Sequence, residues 1–419
     1  MKKILLPHQL YYTNFDMQNV ATRQARERFI NSLDEGGESP SMIYLHIPFC
    51  DYICSFCPFD KDTKKSGIEK YVASIKREID FYADTTLVRS LEFTGIHFGG
   101  GTPTSLHPKY IGELIDYVRK ELDACDVPLH VEGSATTLTD RTIELLKEKG
   151  VSRTSFGVQS FNTDLRRRLS IGATLDDVFS TISRLKDHEM GVHIDLMYGF
   201  PDFGIPGQGD IAIADIEKAI ELGVDSLELS QFYQLHSPLQ MRIYKEGMAF
   251  PSGEQIVRII STATRLLESA GFVQTSEYAF HRRGNVMLER SYFGDSTDTL
   301  ALGPSSIGRL HGYSYRNMRH RDYNLGEVPQ LALVKKLTKE ELDDWDVVSF
   351  PRVLILSKRK VTEKYKNKFE TLVQQGLAEE TDEAFILTSK GKCYISNIHF
   401  FLMDEEQRKS LESGVLEFE

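Results

Sequence analysis

Apolar and polar positions along this chain change period in a repeating way. Short runs rich in β-branched and aromatic residues end near Ile47, Phe98, Glu132, Val158, Tyr198 and Phe232. Each reads as a strand. Between them the spacing becomes helical. Ile68, Tyr71, Val72, Ile75, Ile79 and Tyr82 recur at three- and four-residue steps, which puts them on one face of a helix over 68–82. Residues 140–149 repeat the pattern, with Thr139 in the N-cap position and Gly150 as the stop. Strands alternating with helices predict an α/β fold with a parallel sheet, because a crossover helix joins parallel neighbours. The rhythm fits doubly wound and barrel arrangements equally. In both, the site lies just past the strand ends, and the polar and Gly-rich residues of this chain fall there.

The flanks read differently. Residues 17–31 have helical spacing, and Glu35-Gly36-Gly37-Glu38-Ser39-Pro40 reads as a linker, so 1–40 is an N-terminal leader and 41–240 the β/α core. After 240 the rhythm breaks. A helix over 253–270, a strand over 272–280 and a loop-rich stretch over 284–315 make an extension, 241–325, on the substrate side. Residues 326–419 alternate charged helices with a hairpin-like Leu377–Thr388, which predicts a smaller, mainly helical, winged-helix-like C-terminal domain.

Composition narrows the class. Hydrophobic residues make 41% and charged residues 26% of the 419, ordinary for a soluble protein. The net charge of −11 argues against duplex nucleic acid or an anionic membrane as partner, since both attract basic surfaces. The apolar run Ile4-Leu5-Leu6 stops at Pro7, too short for a signal peptide, and no apolar run is long enough to span a membrane. The expectation is a cytoplasmic protein.

The chain has five cysteines, an odd number that makes a disulfide framework a poor reading. Cys50, Cys54 and Cys57 fall in one loop after the first strand, spaced C-x3-C-x2-C. Three thiolates from one loop can hold three corners of a [4Fe–4S] cluster. The fourth iron then stays open for the amine and carboxylate of S-adenosylmethionine (SAM). Zinc is an alternative, but it asks for a fourth ligand. His46 is the nearest candidate, and strand alternation turns it away. Unreactive buried thiols are a third reading, though they seldom cluster. Phe56 and Phe59 either shield the cluster or belong to the core.

Other strand ends carry supporting residues. Gly99-Gly100-Gly101 lets the backbone approach a ligand closely, or makes a flexible turn. Glu132 closes the third strand as a ligand group or as a solvated loop residue. Asp195 lies between apolar residues and is costly to bury without a partner. With Gln159 it offers a pair for ribose hydroxyls.

Taken together, Tyr-Leu-His-Ile-Pro-Phe-Cys from Tyr44, Phe-Gly-Gly-Gly-Thr-Pro-Thr from Phe98, Phe-Gly-Val-Gln-Ser-Phe-Asn from Phe156 and Ile-Asp-Leu-Met-Tyr-Gly-Phe-Pro from Ile194 resemble the oxygen-independent coproporphyrinogen III oxidase family of radical SAM enzymes. The resemblance runs from Tyr44 to Leu310, with a weaker echo over 387–402. It implies a partial (β/α)6 barrel with the cluster at its open end. It implies that Gly100 and Gly101 meet the methionyl amine, that Glu132, Gln159 and Asp195 hold amine and ribose, and that Tyr44, Phe56 and Thr102 add cofactor contacts. It also implies two SAM molecules, a tetrapyrrole substrate, and an electron donor such as flavodoxin or ferredoxin.

Three departures from the family pattern matter. True coproporphyrinogen oxidases carry a further cysteine where this chain has Phe59. The heme-chaperone branch carries His-Asn and Tyr-Trp where this chain has Gly284-Asn285 and Tyr292-Phe293, ahead of Leu302-Gly303-Pro304. The family arginine near the SAM carboxylate is replaced by Ile171, with Arg166, Arg167 and Arg168 just upstream. Cys57-Pro58-Phe59 and 231–235 look more like the branch that methylates or opens tetrapyrroles, with Phe232 and Tyr233 as a planar wall or as core. The resulting expectation is radical C-methylation or a related carbon transfer on heme or a porphyrin. Oxidative decarboxylation and a heme-binding chaperone are the alternatives.

Overall fold

The protein is described by a computed structural model covering residues 22–37, 39–151, 153–232, 237–282, 298–323, 328–405 and 408. Its main sheet contains β1 (Pro40–Ile47), β2 (Glu92–Gly100), β3 (Leu129–Gly133), β4 (Arg153–Gln159), β5 (Gly191–Tyr198), β6 (Ser226–Gln231), β7 (Phe272–Gln274), β8 (Ala279–Arg282), β9 (Asp298–Leu302), β10 (Ile307–Leu310), β11 (Tyr313–Asn317) and β12 (Leu331–Lys336). Strands β1 to β6 lie side by side in chain order and parallel, the six-strand arrangement of a partial barrel. Antiparallel β8 and β7 continue one edge, and β9 to β12 the other.

Strand alternation gives the sheet two chemically different faces. Ile43, Leu45 and Ile47 of β1, Phe98 of β2, Val131 of β3 and Val192, Ile194 and Leu196 of β5 join one buried apolar core. Helically spaced residues on the crossover helices complete it: Tyr71, Ile75 and Ile79 from Ile68–Ala83, and Ile111, Leu114 and Val118 from Pro108–Glu121. Helix Asp140–Glu148 starts as expected, with the Thr139 side chain accepting from the Thr142 N–H, and the chain turns at Gly150 with φ of 67°. Tyr44, His46, His97, His130, Glu132, His193 and Asp195 alternate with the apolar set and contact one another instead.

Four expectations change. The single strand over 272–280 is a hairpin, β7 and β8, turned where the Ser276 hydroxyl accepts from the Ala279 N–H at 3.2 Å. The described part of the loop-rich stretch, 298–315, contains β9, β10 and the start of β11. Those strands are too short to show a period, and positive φ at Gly303, Ser305, His311 and Gly312 breaks the pattern between them. Strand β12 joins the same sheet, so the sheet runs on beyond residue 325. Helix Arg23–Ser32 is no loose leader, since Phe29 packs on the rings of Tyr313 and Tyr315. The helix expected from residue 17 is described only from Arg23; residues 17–21 lie outside the described set.

A buried carboxylate ties the later strands to the barrel. Glu78, from helix Ile68–Ala83, accepts from the Gly303 N–H at 2.8 Å, from Asn317 Nδ2 at 2.7 Å and from the Tyr323 hydroxyl. Burial pushes its carboxyl up to about 7. The anchored Gly303 backs directly onto the His46 carbonyl at the end of β1.

Toward the C-terminus, β13 (Ile355–Ser357), β14 (Ala378–Glu380) and β15 (Ala384–Leu387) form a small antiparallel sheet in the order β13-β15-β14. Helices Lys339–Val353, Lys366–Gln374 and Ile395–Leu402 share a core with its Phe385 through Phe350, Phe369, Leu372 and Ile398. No described helix is long and apolar enough to cross a membrane.

Candidate functional site: a cysteine loop on a glycine strand end

The loop after β1 is closed at its base. Asp62 N–H donates to the Pro48 carbonyl at 2.7 Å, and Cys50 N–H donates to the Asp62 carbonyl at 2.9 Å. Its tip docks on two neighbouring segments, with Ser55 N–H on the Leu169 carbonyl and Leu239 N–H on the Ser55 carbonyl. Lys61 Nζ donates to the carbonyls of Cys57 and Phe59 at 2.8 and 3.1 Å. A segment with no helix or strand of its own is thereby held in one shape.

Cys50 is buried, and Cys54 and Cys57 are half-buried. Burial, then the neighbouring Cys57 and Cys50, pushes the Cys54 thiol up to about 12; burial also raises Cys50. Thiolate charge at Cys50 and Cys54 needs a compensating cation, and metal binding would release their protons. His46 does not join them. Its Nδ1 is 3.1 Å from the Tyr44 hydroxyl, and its charged neighbours are Asp60, Glu132 and His320. Among the described residues no three His, Cys, Asp or Glu side chains converge as a single-ion site. Zinc with His46 as fourth ligand is therefore disfavoured. A cubane asks for thiolates spread around a larger core.

The glycines at the end of β2 press against this loop. Gly101 N–H donates to the Ile47 carbonyl at 2.8 Å and Thr102 N–H to the Phe49 carbonyl at 2.7 Å. The Thr102 hydroxyl donates to Cys50 Sγ at 3.6 Å. A Cβ on Gly101 would stand 2.7 Å from the Phe49 oxygen and 3.0 Å from Cys50 Sγ. A Cβ on Gly100, whose φ is 110°, would stand 2.7 Å from the His46 ring, and one on Gly99 2.9 Å from Glu132 Oε1. The three glycines thus form a close-approach surface rather than a flexible turn.

Behind them stand the carboxylates. Glu132 Oε1 is 2.9 Å from His97 Nε2, and Oε2 accepts from the Gly100 N–H at 3.2 Å. Gln159, the last residue of β4, has φ of 63°, which turns its amide back over Gly157. A Cβ at Gly157 would stand 3.5 Å from Gln159 Cδ and 4.0 Å from Asp195 Oδ2, so these two groups share one space. Burial first, then the charge of Glu132, pushes the Asp195 carboxyl up to about 7, against the pull of Arg153 and His97. The thiols, the glycines and this acidic pair therefore occupy one strand-end edge.

Residues 44–205 match the radical SAM superfamily. The matched stretch runs from β1 to the segment just beyond β5. Anaerobilin synthase from Escherichia coli O157:H7 is 25% identical over 375 residues, covering 85% of this chain and 82% of that protein. The heme chaperone HemW from Lactococcus lactis is 26% identical over 353 residues, covering 83% and 89%. The coproporphyrinogen III oxidase HemN from Escherichia coli superposes with a TM-score of 0.78 at 21% identity, covering 96% of this chain and 99% of that one; it shares the fold.

The radical SAM residues expected at the rim fare unequally. Arg166 is buried and used up on the backbone, donating to the carbonyls of Val158, Ser160 and Ala173. Arg167 pairs with Asp164, and Arg168 is exposed. Ile171 is half-buried and packs, with Phe56, on the apolar group of Leu169, Met197, Phe200 and Phe232. Phe232 is only 1% exposed and lies between the rings of Phe200 and Phe250, so it is core and no open wall. Phe59 is 53% exposed. Tyr233, Gly284-Asn285 and Tyr292-Phe293 lie outside the described residues.

Sequence reasoning passed over His97, His130 and His193. Their signal was present. Each precedes Gly99, Glu132 or Asp195 by two residues, and a two-residue step in a strand keeps both side chains on one face.

Proposed function

We propose that this chain cleaves SAM reductively and directs the resulting radical at a tetrapyrrole. Cys50, Cys54 and Cys57 hold the [4Fe–4S] cluster. Glu132 accepts the SAM ammonium beside the backbone of Gly100 and Gly101. Gln159 and Asp195 take the ribose hydroxyls, with Tyr44, Phe56 and Thr102 closing the pocket. The observation that carries this reading is the contact of Gly101 with Cys50 on one side and of Gly99 with Glu132 on the other. One glycine strand end separates a metal ligand from an ammonium acceptor, a spacing suited to a ligand bound to both. When bound, the cluster supplies the electron that breaks the sulfonium bond. The protein's part is to bind, orient and exclude water, and burial of Cys50 and the closed base of its loop serve that end.

The substrate class rests on relatives named for a bilin, for heme and for coproporphyrinogen. Phe59 puts a ring in place of a thiol, which favours carbon transfer using a second SAM over decarboxylation of a propionate. The test is anaerobic turnover of reconstituted protein with dithionite, methyl-labelled SAM, and either heme or coproporphyrinogen. Heme should drive release of both 5′-deoxyadenosine and S-adenosylhomocysteine and carry label into product. Turnover of coproporphyrinogen with carbon dioxide release and no S-adenosylhomocysteine would reject carbon transfer. Tight heme binding without any SAM cleavage would reject the enzyme. The triple variant Cys50→Ala, Cys54→Ala, Cys57→Ala should lose the roughly four irons of one cubane.

A further inference from the structure

We propose that His97, His130 and His193 form one buried row that positions Glu132 and Asp195. The inference rests on the assignment of those two carboxylates to SAM.

Strand register assembles the row. His97 of β2 lies opposite His130 of β3; Ser155 of β4 separates Glu132 of β3 from His193 of β5; and His193 lies opposite Ser226 of β6. The rings touch in series. Centroids are 5.5 Å apart for Tyr44 and His97, 4.5 Å for His97 and His130, 6.4 Å for His130 and His193, and 6.2 Å for His193 and His281. All four histidines are buried.

Each end of the row meets one carboxylate. His97 Nε2 is 2.9 Å from Glu132 Oε1, and His193 Nε2 is 3.4 Å from Asp195 Oδ1. Serines hold the remaining positions. His130 Nε2 is 2.8 Å from Ser155 Oγ, and His193 Nδ1 is 2.9 Å from Ser226 Oγ. A neutral imidazole has one donor and one acceptor nitrogen. With the Ser226 hydroxyl as donor to Nδ1, His193 carries its proton on Nε2, the nitrogen within ion-pair range of Asp195 but outside hydrogen-bond geometry. Burial keeps His130 well below the ordinary histidine range and takes His281 down to about 2, so both of these rings stay neutral.

This arrangement answers a physical problem. The charge of Glu132 disfavours the ionisation of Asp195. Before a cationic ligand arrives, nothing in their mutual repulsion fixes their carboxyl planes. A close-packed bar of rings, with His97 hydrogen-bonded to Glu132 and His193 packed 3.4 Å from Asp195, sets both orientations at once. The histidines touch no part of SAM; they act through the two acids.

The test is SAM affinity, by equilibrium dialysis on reconstituted protein, for His97→Leu, His193→Leu, His97→Gln and His193→Gln, beside Glu132→Gln and Asp195→Asn. Glutamine places an amide nitrogen where the imidazole Nε2 stood. The leucine variants should keep wild-type iron content and melting temperature while binding SAM more weakly: about tenfold for His97→Leu, the order expected for losing a hydrogen bond to a charged group, and less for His193→Leu. The glutamine variants should recover to within about threefold by the same reasoning. If the leucine variants do not fold, His97→Phe and His193→Phe keep the ring bulk without the nitrogens and carry the same comparison. Wild-type SAM binding in the leucine or phenylalanine variants, with binding lost in Glu132→Gln and Asp195→Asn, would overturn the positioning role and leave the SAM site standing. Equal loss in glutamine and leucine variants would also overturn it, because ring packing alone would then be responsible. Unchanged binding in Glu132→Gln and Asp195→Asn would remove the premise.

Discussion

Gly101→Ala adds one carbon at the most confined point of the site. The new Cβ would stand 2.7 Å from the Phe49 carbonyl oxygen, 3.0 Å from the Ile47 carbonyl oxygen and 3.0 Å from Cys50 Sγ. Carbon and oxygen ordinarily approach no closer than about 3.3 Å, so the first overlap alone is roughly 0.6 Å. Neither carbonyl is free to move. The Ile47 oxygen accepts from Gly101 N–H itself, and the Phe49 oxygen accepts from Thr102 N–H and from the Ser105 hydroxyl at 3.0 Å. Relief therefore requires β2 to lift away from the cysteine loop, breaking bonds that hold Cys50 in place. Overpacking of this kind costs about 1–3 kcal/mol. The expected variant folds with a lower melting temperature and a substoichiometric cluster. Iron and sulfide per chain after anaerobic reconstitution, together with a thermal melt, measure both effects. Gly209→Ala is the control, since its nearest neighbour is the flexible Arg258 tip at 3.9 Å. Full iron content and a wild-type melting temperature in Gly101→Ala would refute the close-approach role given to these glycines.

Two further outcomes are expected. SAM affinity should rise between pH 6 and pH 8 and release a proton at the lower end, because Asp195 must ionise to accept ribose hydroxyls and its carboxyl sits near 7 among Glu132, His193, Arg153 and His97. In the free protein the sign is opposite: a carboxyl raised on folding stabilises below its unfolded value of about 4 and loses that contribution as pH climbs toward 7. Titration calorimetry in buffers of different ionisation enthalpy checks the proton, and a pH-dependence of affinity kept intact in Asp195→Asn would exclude this residue as its source. Arg166→Met should destabilise by about 2–4 kcal/mol, since three buried carbonyls lose a charged donor, and should weaken SAM binding through the adjoining Gln159 turn. Denaturant melts and dialysis read these separately, and a wild-type melt would show that the guanidinium does not bind the turn.

What the sequence made legible was local. The alternation of β1 to β6, the Thr139 cap and the apolar face of helix Ile68–Ala83 are each set by residues a few positions apart. The hairpin of β7 and β8 was hidden because its turn, Thr275-Ser276-Glu277-Tyr278, contains neither Gly nor Pro; a serine hydroxyl and the bond from Glu277 N–H to the Arg352 carbonyl close it instead. Arg166 was hidden inside a charge run. Successive residues of helix Thr163–Arg168 point about 100° apart, so one of three arginines can face the core while its neighbours face solvent. The cysteines and glycines were legible as chemistry, but their contact was not, because it joins residues about 50 positions apart across two strands. The histidine row needed the same cross-strand register.

Two departures from the family pattern share one physical sense. Phe59 puts a half-exposed ring where a thiol would stand, and Ile171 puts an aliphatic chain where a cation would stand. Phe59 lies within the cysteine loop, and Ile171 packs on the same apolar group as Phe56 of that loop. Arg166 does not replace the missing charge, because its guanidinium is committed to three carbonyls. The rim is therefore less polar, and less positive, than a family member with both groups. Coproporphyrinogen carries four propionates and heme carries two. Each carboxylate brought to an apolar rim without a cation loses hydration that nothing there returns. A planar macrocycle with more ring surface and fewer charges gains from the same residues that penalise the porphyrinogen. On that argument heme is the substrate to offer first. Restoring the cation with Ile171→Arg should shift discrimination toward the four-carboxylate substrate. Competition between the two for binding to the reconstituted protein measures that shift, and an unchanged ratio would detach rim polarity from substrate choice.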